Sequence, residues 1–565
     1  MKNKEIADIF YEIAGFLEIK DVKWKPRAYR RAARSIETLS EDIEKIYREK
    51  RLEDIEGVGE NIRDKIIEYL ETGHLEYYEE LKKDLPVDFD ALTSIEGIGP
   101  KTVKKLYQEL DVNDIEDLEE AARKGKIADL KGFGEKSEQN ILKGLDMAKI
   151  NQKRMLLGEA FPLVSDIKQR LSDSIYFDKI DVVGSFRRKK PTIGDIDILA
   201  TSNNPEKAME EFCNFEDVVE VLEKGKTKSS VIVSDGLEID LRIIDNESWG
   251  SGLIYFTGSK DHNINLRRLS NRKSYKLNEY GLYRKEGEKE KIASVCEKDV
   301  YKALNLDYIP PELREDTGEV EAAEGGKLPK LVEIGDIRGD LHMHTNWSDG
   351  INSIEEMAKK AEKRGYNYIA ITDHGPGAKI TDPPQSISDW KKLKEEITRI
   401  NEKYNLKVLF GAEAEIEKDG IDLVDEIVDM LDLLLVALHR KLSNPTEKLI
   451  DVFNRYPVGI WVHPLNRKIN KREPLDLNLN KLVNKAKKEN ISLEINSQPH
   501  RLDLPWDLVK KHRNKIDYVI NTDAHSVKQL DYLKFGIYQA RRGWLEKENI
   551  LNTRKLDNLQ KILTK

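Results

Sequence analysis

Three sets of residues in this 565-residue chain could do chemistry: a triad of aspartates, a long series of histidines, and three glycine turns. In the first half, Gly184-Ser185-Phe186-Arg187-Arg188 precedes Gly194-Asp195-Ile196-Asp197, and Glu238-Ile239-Asp240 follows on a later β-branched run. Alternation along a strand puts Asp195 and Asp197 on one face, roughly 6–7 Å apart, close enough to share metal ions, with Asp240 as the third carboxylate. Three carboxylates converging on two Mg2+ (or Mn2+) ions suit in-line phosphoryl transfer: a hydroxyl is activated and charge on the leaving pyrophosphate is neutralised. Left without metal, like charges at this range would force one to protonate. A lone Asp-x-Asp pair is common at strand ends, but a Gly-Ser turn at fixed spacing before it and a third aspartate after it are specific.

The second half holds eight of the ten histidines, all after residue 340, and most of them end a β-rich run. The series is His342-Met343-His344, Asp349, Thr372-Asp373-His374, Gly411-Ala412-Glu413, Ala437-Leu438-His439, His463-Pro464 and Asp523-Ala524-His525. In His-x-His on a strand both imidazoles face the same way, and mixed imidazole and carboxylate donors suit Mn2+, Zn2+ or Fe2+ better than Mg2+ alone. One such histidine is ordinarily a core or surface residue; a whole series at strand ends, where barrel active sites lie, points to metal-assisted hydrolysis. Arg467 and Arg501, in HPLNR and HRLDL, are candidates for gripping a phosphate.

The glycine turns Gly57-Val58-Gly59, Gly97-Ile98-Gly99 and Gly132-Phe133-Gly134 each lie between an apolar stretch and an amphipathic one, a helix-hairpin-helix unit repeated three times. Glycine permits positive φ, so backbone N–H groups converge on an anion where the second helix starts. Such hairpins should bind DNA backbone with strong salt dependence and little sequence preference. The net charge, 95 − 104 = −9, argues weakly against nucleic acid, but cations cluster at 23–34 (KWKPRAYRRAAR), 187–190 (RRKK) and 267–276 (RRLSNRKSYK).

Positioning these groups takes several domains, three to five at ~150 residues each. Helical periodicity dominates to about residue 150. From 158 to 316 it gives way to short strands, predicted at KIDVVGSF, DIDILA, SVIVS, EIDLRII and LIYFTG. From 336 onward, runs such as YNYIAITDH, LDLLLVALHR and IDYVINTDAH alternate with helices, favouring a parallel sheet closed into a barrel of about seven strands. Between them, prolines, acids and paired glycines suggest a linker. No apolar run reaches the ~18 residues of a membrane span, and no secretory leader is evident, so a cytoplasmic protein is expected. Two cysteines, Cys213 and Cys296, are too few for a disulfide framework.

Residues 24–33 (WKPRAYRRAA) followed by GVGENIRDKI resemble the lyase domain of family X DNA polymerases, the polymerase beta group. The resemblance implies that Lys65, in the helix after the first hairpin, forms a Schiff base with an abasic sugar, supported by Tyr29 and Lys25; only a neutral amine could do so. Asn61 stands where relatives carry a lysine, implying a weaker 5′-phosphate pocket. The Gly-Ser and three-aspartate pattern is similar to the nucleotidyltransferase superfamily, and Tyr255-Phe256-Thr257-Gly258-Ser259 narrows it to family X. By that resemblance Ser185 and Arg188 contact the triphosphate, Gly184 and Gly194 border it, and Tyr255, Phe256 and Gly258 gate the sugar. Asn263 and Arg267 would lie along the minor groove. Glu238 stands where vertebrate relatives have an arginine, and Lys260 where they have an acid. The C-terminal series resembles the PHP phosphoesterase domain, whose nine ligands hold three metal ions. They map to His342, His344, Asp349, His374, Glu413, His439, His463, Asp523 and His525, with Ala437 where many relatives have serine.

The expected architecture is an all-α helix-hairpin-helix region, an α+β nucleotidyltransferase core and a distorted α/β PHP barrel. The expected domains are a lyase-like domain (1–85), a fingers-like region (86–157), palm and thumb (158–316), a linker (317–335) and the PHP domain (336–565). The expected function is DNA polymerisation at short gaps in repair, with 3′-to-5′ exonuclease activity, and cleavage at abasic sites or 3′-end trimming, in the barrel. The expected partners are gapped or nicked DNA and dNTPs, taken by a monomer without membrane attachment. Two other readings remain: a DNA-targeted PHP nuclease with a non-catalytic polymerase-like module, against which the intact triad argues, and a small-molecule PHP phosphatase, which leaves the hairpins unexplained.

Overall fold

A computed structural model describes the chain except residues 1, 21, 38–42, 56, 86, 94–97, 131, 135–136, 143–144, 146–153, 235, 286–289, 378–382, 441 and 564–565. It divides into two compact units, Met1–Lys153 and Arg154–Lys565. No described helix is long and apolar enough to cross a membrane.

The first unit is helical. Its apolar positions recur at helical spacing, so Ile6, Phe10, Ile13 and Leu17 of the helix Lys2–Ile19 meet Ala32, Ile36, Ile66, Val103 and Leu106 in one core. The three hairpins share one hydrogen-bond pattern. The carbonyl of the second glycine accepts from the amides three and four residues on: Ile62 and Arg63 to Gly59, Thr102 and Val103 to Gly99, Ser137 and Glu138 to Gly134. Gly59 and Gly99 thereby cap the helices α1 (Glu60–Thr72) and α2 (Pro100–Leu110), the latter helped by Pro100 with its preset φ.

In the second unit the palm is a five-stranded sheet. Its strands are β1 (Lys179–Val182), β2 (Asp195–Thr201), β3 (Val218–Lys224), β4 (Lys228–Val233) and β5 (Glu238–Ile243), in the order β1-β2-β5-β4-β3. β2 and β5 run parallel with Asp197 opposite Asp240, so alternation puts Ile196, Ile198, Ile239 and Leu241 in the core and the carboxylates on the other face. The run LIYFTG, read as a strand, is instead the end of helix α3 (Trp249–Thr257). A short, wholly apolar run has no diagnostic period; Gly252 presses this one onto Leu199 and Ile244 of the palm. Helix α4 (Lys260–Arg272) and a three-stranded sheet at 275–293 complete the thumb.

The C-terminal half is a nearly closed barrel of seven parallel strands in sequence order. They are β6 (Gly339–Asp340), β7 (Tyr368–Ile371), β8 (Lys407–Glu417), β9 (Leu433–Ala437), β10 (Val458–Trp461), β11 (Ser492–Asn496) and β12 (Tyr518–Asn521). The ends of the first and last strands meet where the His344 amide donates to the Ala524 carbonyl at 2.9 Å. Every strand is buried along most of its length, as helices cover the outside. The stretch 317–335 is more than a tether: it carries a helix, Glu319–Glu324, and Glu319 is buried because His262 (2.7 Å) and the amides of Asp316 and Thr317 satisfy its carboxylate. Composition alone could not show that this acid has partners.

Candidate polymerase and hydrolase centres

At the palm, Asp195 is exposed while Asp197 and Asp240 are half-buried. Burial first, then the charges of Asp195 and Asp240, push the Asp197 carboxyl up to about 7, with Arg188 opposing. That is the repulsion expected of a carboxylate cluster awaiting cations, and its oxygen-only donors fit Mg2+ or Mn2+. β4 orients the third member: the Ser230 hydroxyl donates to Asp240 at 2.5 Å, and the Lys228 ammonium lies 3.8 Å from it. Neither residue stands out in the sequence, because serine and lysine are ordinary residue types with no pattern linking them to Asp240. Gly184 has φ +58°, and a side chain there would run into the Asp197 carboxylate, so the turn requires glycine.

The triphosphate expectations converge on this turn. The Ser185 hydroxyl is buried with no hydrogen-bond partner in the protein. Arg188 donates to the Thr257 carbonyl and, at 3.1 Å, to Glu315, and lies beside Gly258, whose φ is +67°. Gly194 is covered by the Arg154 guanidinium. Tyr255 and Phe256 meet edge to face at 5.0 Å, with Arg242 stacked over Phe256; the Asn263 amide donates to the Tyr255 carbonyl, and Arg267 is exposed one turn further on.

All nine barrel candidates come together. Their donor atoms fall into three groups, each within 4.8 Å: His344, Asp349, His374 and His525; His342, His344, Glu413 and Asp523; and Glu413, His439 and His463. Glu413 and His344 join the groups, with Glu413 at 3.0 Å from His342, 3.2 Å from His344 and 2.9 Å from His463. Burial alone would raise Glu413 and Asp523, but the surrounding histidines, His374 and His342 foremost for Glu413 and His342 for Asp523, hold both well below the carboxylate range. The buried Nδ1 atoms of His344 and His463 have no hydrogen-bond partner, as free metal-ligand positions would. Three further groups orient the ligands. Glu494 takes His342 Nδ1 at 2.7 Å, Glu415 takes His439 Nδ1 at 2.7 Å, and the Asn496 amide donates to Asp523 at 3.0 Å. Sequence reading missed them; the trace they leave is the alternation of polar residues along a strand, as in SLEIN, where Glu494 and Asn496 share one face with Ser492.

Seven of these ligands, all but His342 and His344, line an open cavity of about 880 Å³, joined by Arg440, Lys468, His500 and Arg501. Arg501 lies 3.8 Å from Asp523. Arg467 does not line the cavity; its guanidinium bonds the Arg501 carbonyl at 2.8 Å and the Leu502 carbonyl.

In the helical unit, a Cβ at Gly59, Gly99, Gly132 or Gly134 would meet no atom within 4 Å, which leaves the hairpin surfaces open; Gly57 and Gly132 have φ +86° and +94°. Gly97 lies outside the described residues. The Lys65 ammonium stands 4.8 Å over the ring of Tyr77, which stacks on the buried Tyr29 at 6.4 Å; Lys25 is exposed on the preceding helix.

A three-aspartate palm and thumb joined to a barrel with a clustered histidine and carboxylate site defines a nucleotidyltransferase with a second, hydrolytic centre. Family profiles agree: a helix-hairpin-helix domain at residues 1–75, a SAM-like helix-hairpin-helix tandem at 89–147, DNA polymerase beta palm at 160–269, DNA polymerase beta thumb at 252–315 and a PHP domain at 340–553. The chain is 35% identical over 574 residues to the DNA polymerase/3′-5′ exonuclease PolX of Bacillus subtilis, covering 100% of this chain and 99% of the relative. It is 24% identical over 344 residues to DNA polymerase lambda of Rattus norvegicus, covering 55% and 56% of the two chains. It is 30% identical over 167 residues to a probable phosphatase of Acetivibrio thermocellus, covering 28% and 64%. The chain belongs to the family X DNA polymerases that carry a C-terminal PHP domain.

Proposed function

We propose that the chain fills short gaps during DNA repair, using Asp195, Asp197 and Asp240 for nucleotide addition and the nine barrel ligands for removal of 3′ nucleotides. The chain is a DNA polymerase with a 3′-to-5′ exonuclease, and both activities depend on divalent cations. When bound, the cations supply Lewis acidity at the reacting phosphate. The three barrel donor groups suit up to three of Mn2+, Zn2+ or Fe2+, and the three mutually repelling palm aspartates would take two Mg2+ or Mn2+. The chain's own part at the palm is to fix the triad on two adjacent strands, to offer the Ser185 hydroxyl and Arg188 to the triphosphate, and to close Tyr255 and Phe256 on the sugar. In the barrel, Arg501 and Arg440 offer positive charge to a phosphodiester at the cavity mouth. The hairpins hold the duplex by its phosphates, and a monomer supplies every group.

The observation that carries this reading is the convergence of two separate acidic or imidazole clusters in one chain with open hairpins. The test is primer extension with Mg2+ or Mn2+, in which the Asp195→Ala, Asp197→Ala pair must abolish incorporation. Persistent incorporation removes the palm assignment. Hydrolysis of a labelled 3′ DNA end should exceed that of a small phosphomonoester; the reverse preference favours the phosphatase reading. The same barrel would cleave at abasic sites and trim blocked 3′ ends. Lys65, beside Tyr77, would form the Schiff base, and a borohydride-trapped abasic complex should vanish in Lys65→Ala.

A further inference from the structure

A short turn of the barrel spans from the hydrolytic cavity to the nucleotide site. Lys468 and Arg472 pair across it, with the Lys468 amide donating to the Arg472 carbonyl at 2.9 Å, so Asn470 and Lys471 form the exposed tip. At its base Lys468 lines the cavity, and the Ile469 amide bonds the carbonyl of His500, another lining residue, at 2.8 Å. At its tip the Asn470 amide donates to the Arg154 carbonyl at 2.7 Å. The Arg154 guanidinium in turn holds Thr192 through its hydroxyl and its carbonyl, both at 2.9 Å, and covers Gly194, the neighbour of Asp195. Two walls that could have been far apart are thus joined through Asn470 and Arg154.

The seam is cationic and makes no ion pair. Among the described residues, none of Arg154, Lys190, Lys468, Lys471 and Arg472 has a carboxylate within 4.0 Å; Arg154 and Arg472 bond only neutral acceptors. Elsewhere on the barrel, exposed cations such as Lys391, Lys481 and Lys547 are ion-paired. The seam charges also sit close to one another. Burial first, then Arg501, Arg472 and Lys471, lower Lys468 against Asp523; burial lowers Lys190, opposed next by Glu315 and reinforced by Arg188, Arg542 and Arg154. An acidic chain that gathers unpaired cations in one line is built for a polyanion, and the polymer both centres act on is DNA.

We propose that this seam is a single-strand track, on which Arg154, Lys190, Lys468, Lys471 and Arg472 hold the phosphates of a frayed 3′ end as it passes from the aspartate triad to the barrel cavity. The track rests on the reading that both centres act on one DNA. Its energy is electrostatic, so removing one cation that neutralises a phosphate should reduce the salt dependence of transfer by roughly 0.7 in the log-log slope.

The test is a single encounter. The full chain is preloaded on a gapped duplex with a mispaired 3′ end, then mixed with Mn2+, dNTPs and excess heparin. The wild type should excise the mispair and extend before it is trapped. Lys471→Glu should lower that fraction about fivefold, while leaving extension of a paired end and hydrolysis of a short single-stranded oligonucleotide unchanged. Neutral methylphosphonate linkages near the 3′ end should lower transfer in the wild type and add little in Lys471→Glu. Equal transfer in wild type and variant, or equal loss in all three assays, overturns the track, as does a wild type that excises only after rebinding. Excision by the wild type without heparin shows that the exonuclease itself stands, so the two readings fail separately.

Discussion

At the residue scale, the chemistry follows from how few groups answer the charge of the carboxylates. The Asp197 carboxyl, pushed up to about 7, is largely protonated at pH 6 and ionised at pH 8. A cation must displace that proton, so binding of Mn2+ at the palm should release close to one proton at pH 6 and little at pH 8, with affinity rising across this interval. Calorimetry in buffers of different ionisation heat checks it, with Asp197→Asn as the reference; proton release that is unchanged in Asp197→Asn contradicts it. The Asp195/Asp197 and His342/His344 pairs were legible in the sequence because spacing on a strand fixes which face a side chain takes, and the full set of nine barrel donors because the series resembles the PHP domain. Glu415, Glu494, Ser230 and Tyr77 were not, since each acts on a partner brought near only by the fold.

At the element scale, the palm and thumb are braced by Glu297, which bonds Arg187 at 2.7 Å and Arg314 at 2.7 Å. Burial alone would raise Glu297, yet Arg314 and Arg187 hold it down at about 2, against an ordinary 4.5. Since the folded value is the depressed one, this stability is present above pH 4.5 and is lost as the pH falls toward 2; the shift corresponds to on the order of 3 kcal/mol. Glu297→Gln should cost about 3–5 kcal/mol, because it leaves the buried Arg314 guanidinium without its anion and Arg187 with only Asp181 at 3.7 Å. Thermal melting at pH 7 and pH 3 checks both statements: the variant should melt lower at pH 7, and the gap should narrow by about half, without closing, at pH 3. Most barrel strands could be read from their apolar runs. The helix α3 could not, because the apolar run GLIYF carries no period that separates helix from strand, and β3 was overlooked because its outer face is charged.

At the scale of the whole molecule, the barrel touches the polymerase half at several points that no local pattern announces. Arg542, buried at 1% exposure, reaches from the barrel helix α5 (Leu533–Arg542) to the Arg188 carbonyl at 2.6 Å and to Glu315 at 3.1 Å, the same carboxylate that Arg188 bonds. Arg542→Leu should therefore raise the KM for dNTPs several-fold, leave exonuclease turnover in place, and be partly rescued by Arg542→Lys; steady-state kinetics of both activities decide it. The stretch read as a linker is packed for the same reason, that its acids meet partners distant in sequence. The most direct measurement is a gel of one labelled gapped duplex, incubated with and without dNTPs, for the wild type, Asp240→Ala and His344→Ala. The wild type should lengthen the primer with dNTPs and shorten it without them; Asp240→Ala should only shorten it and His344→Ala only lengthen it. Loss of both activities in either variant would contradict two separate centres in one chain.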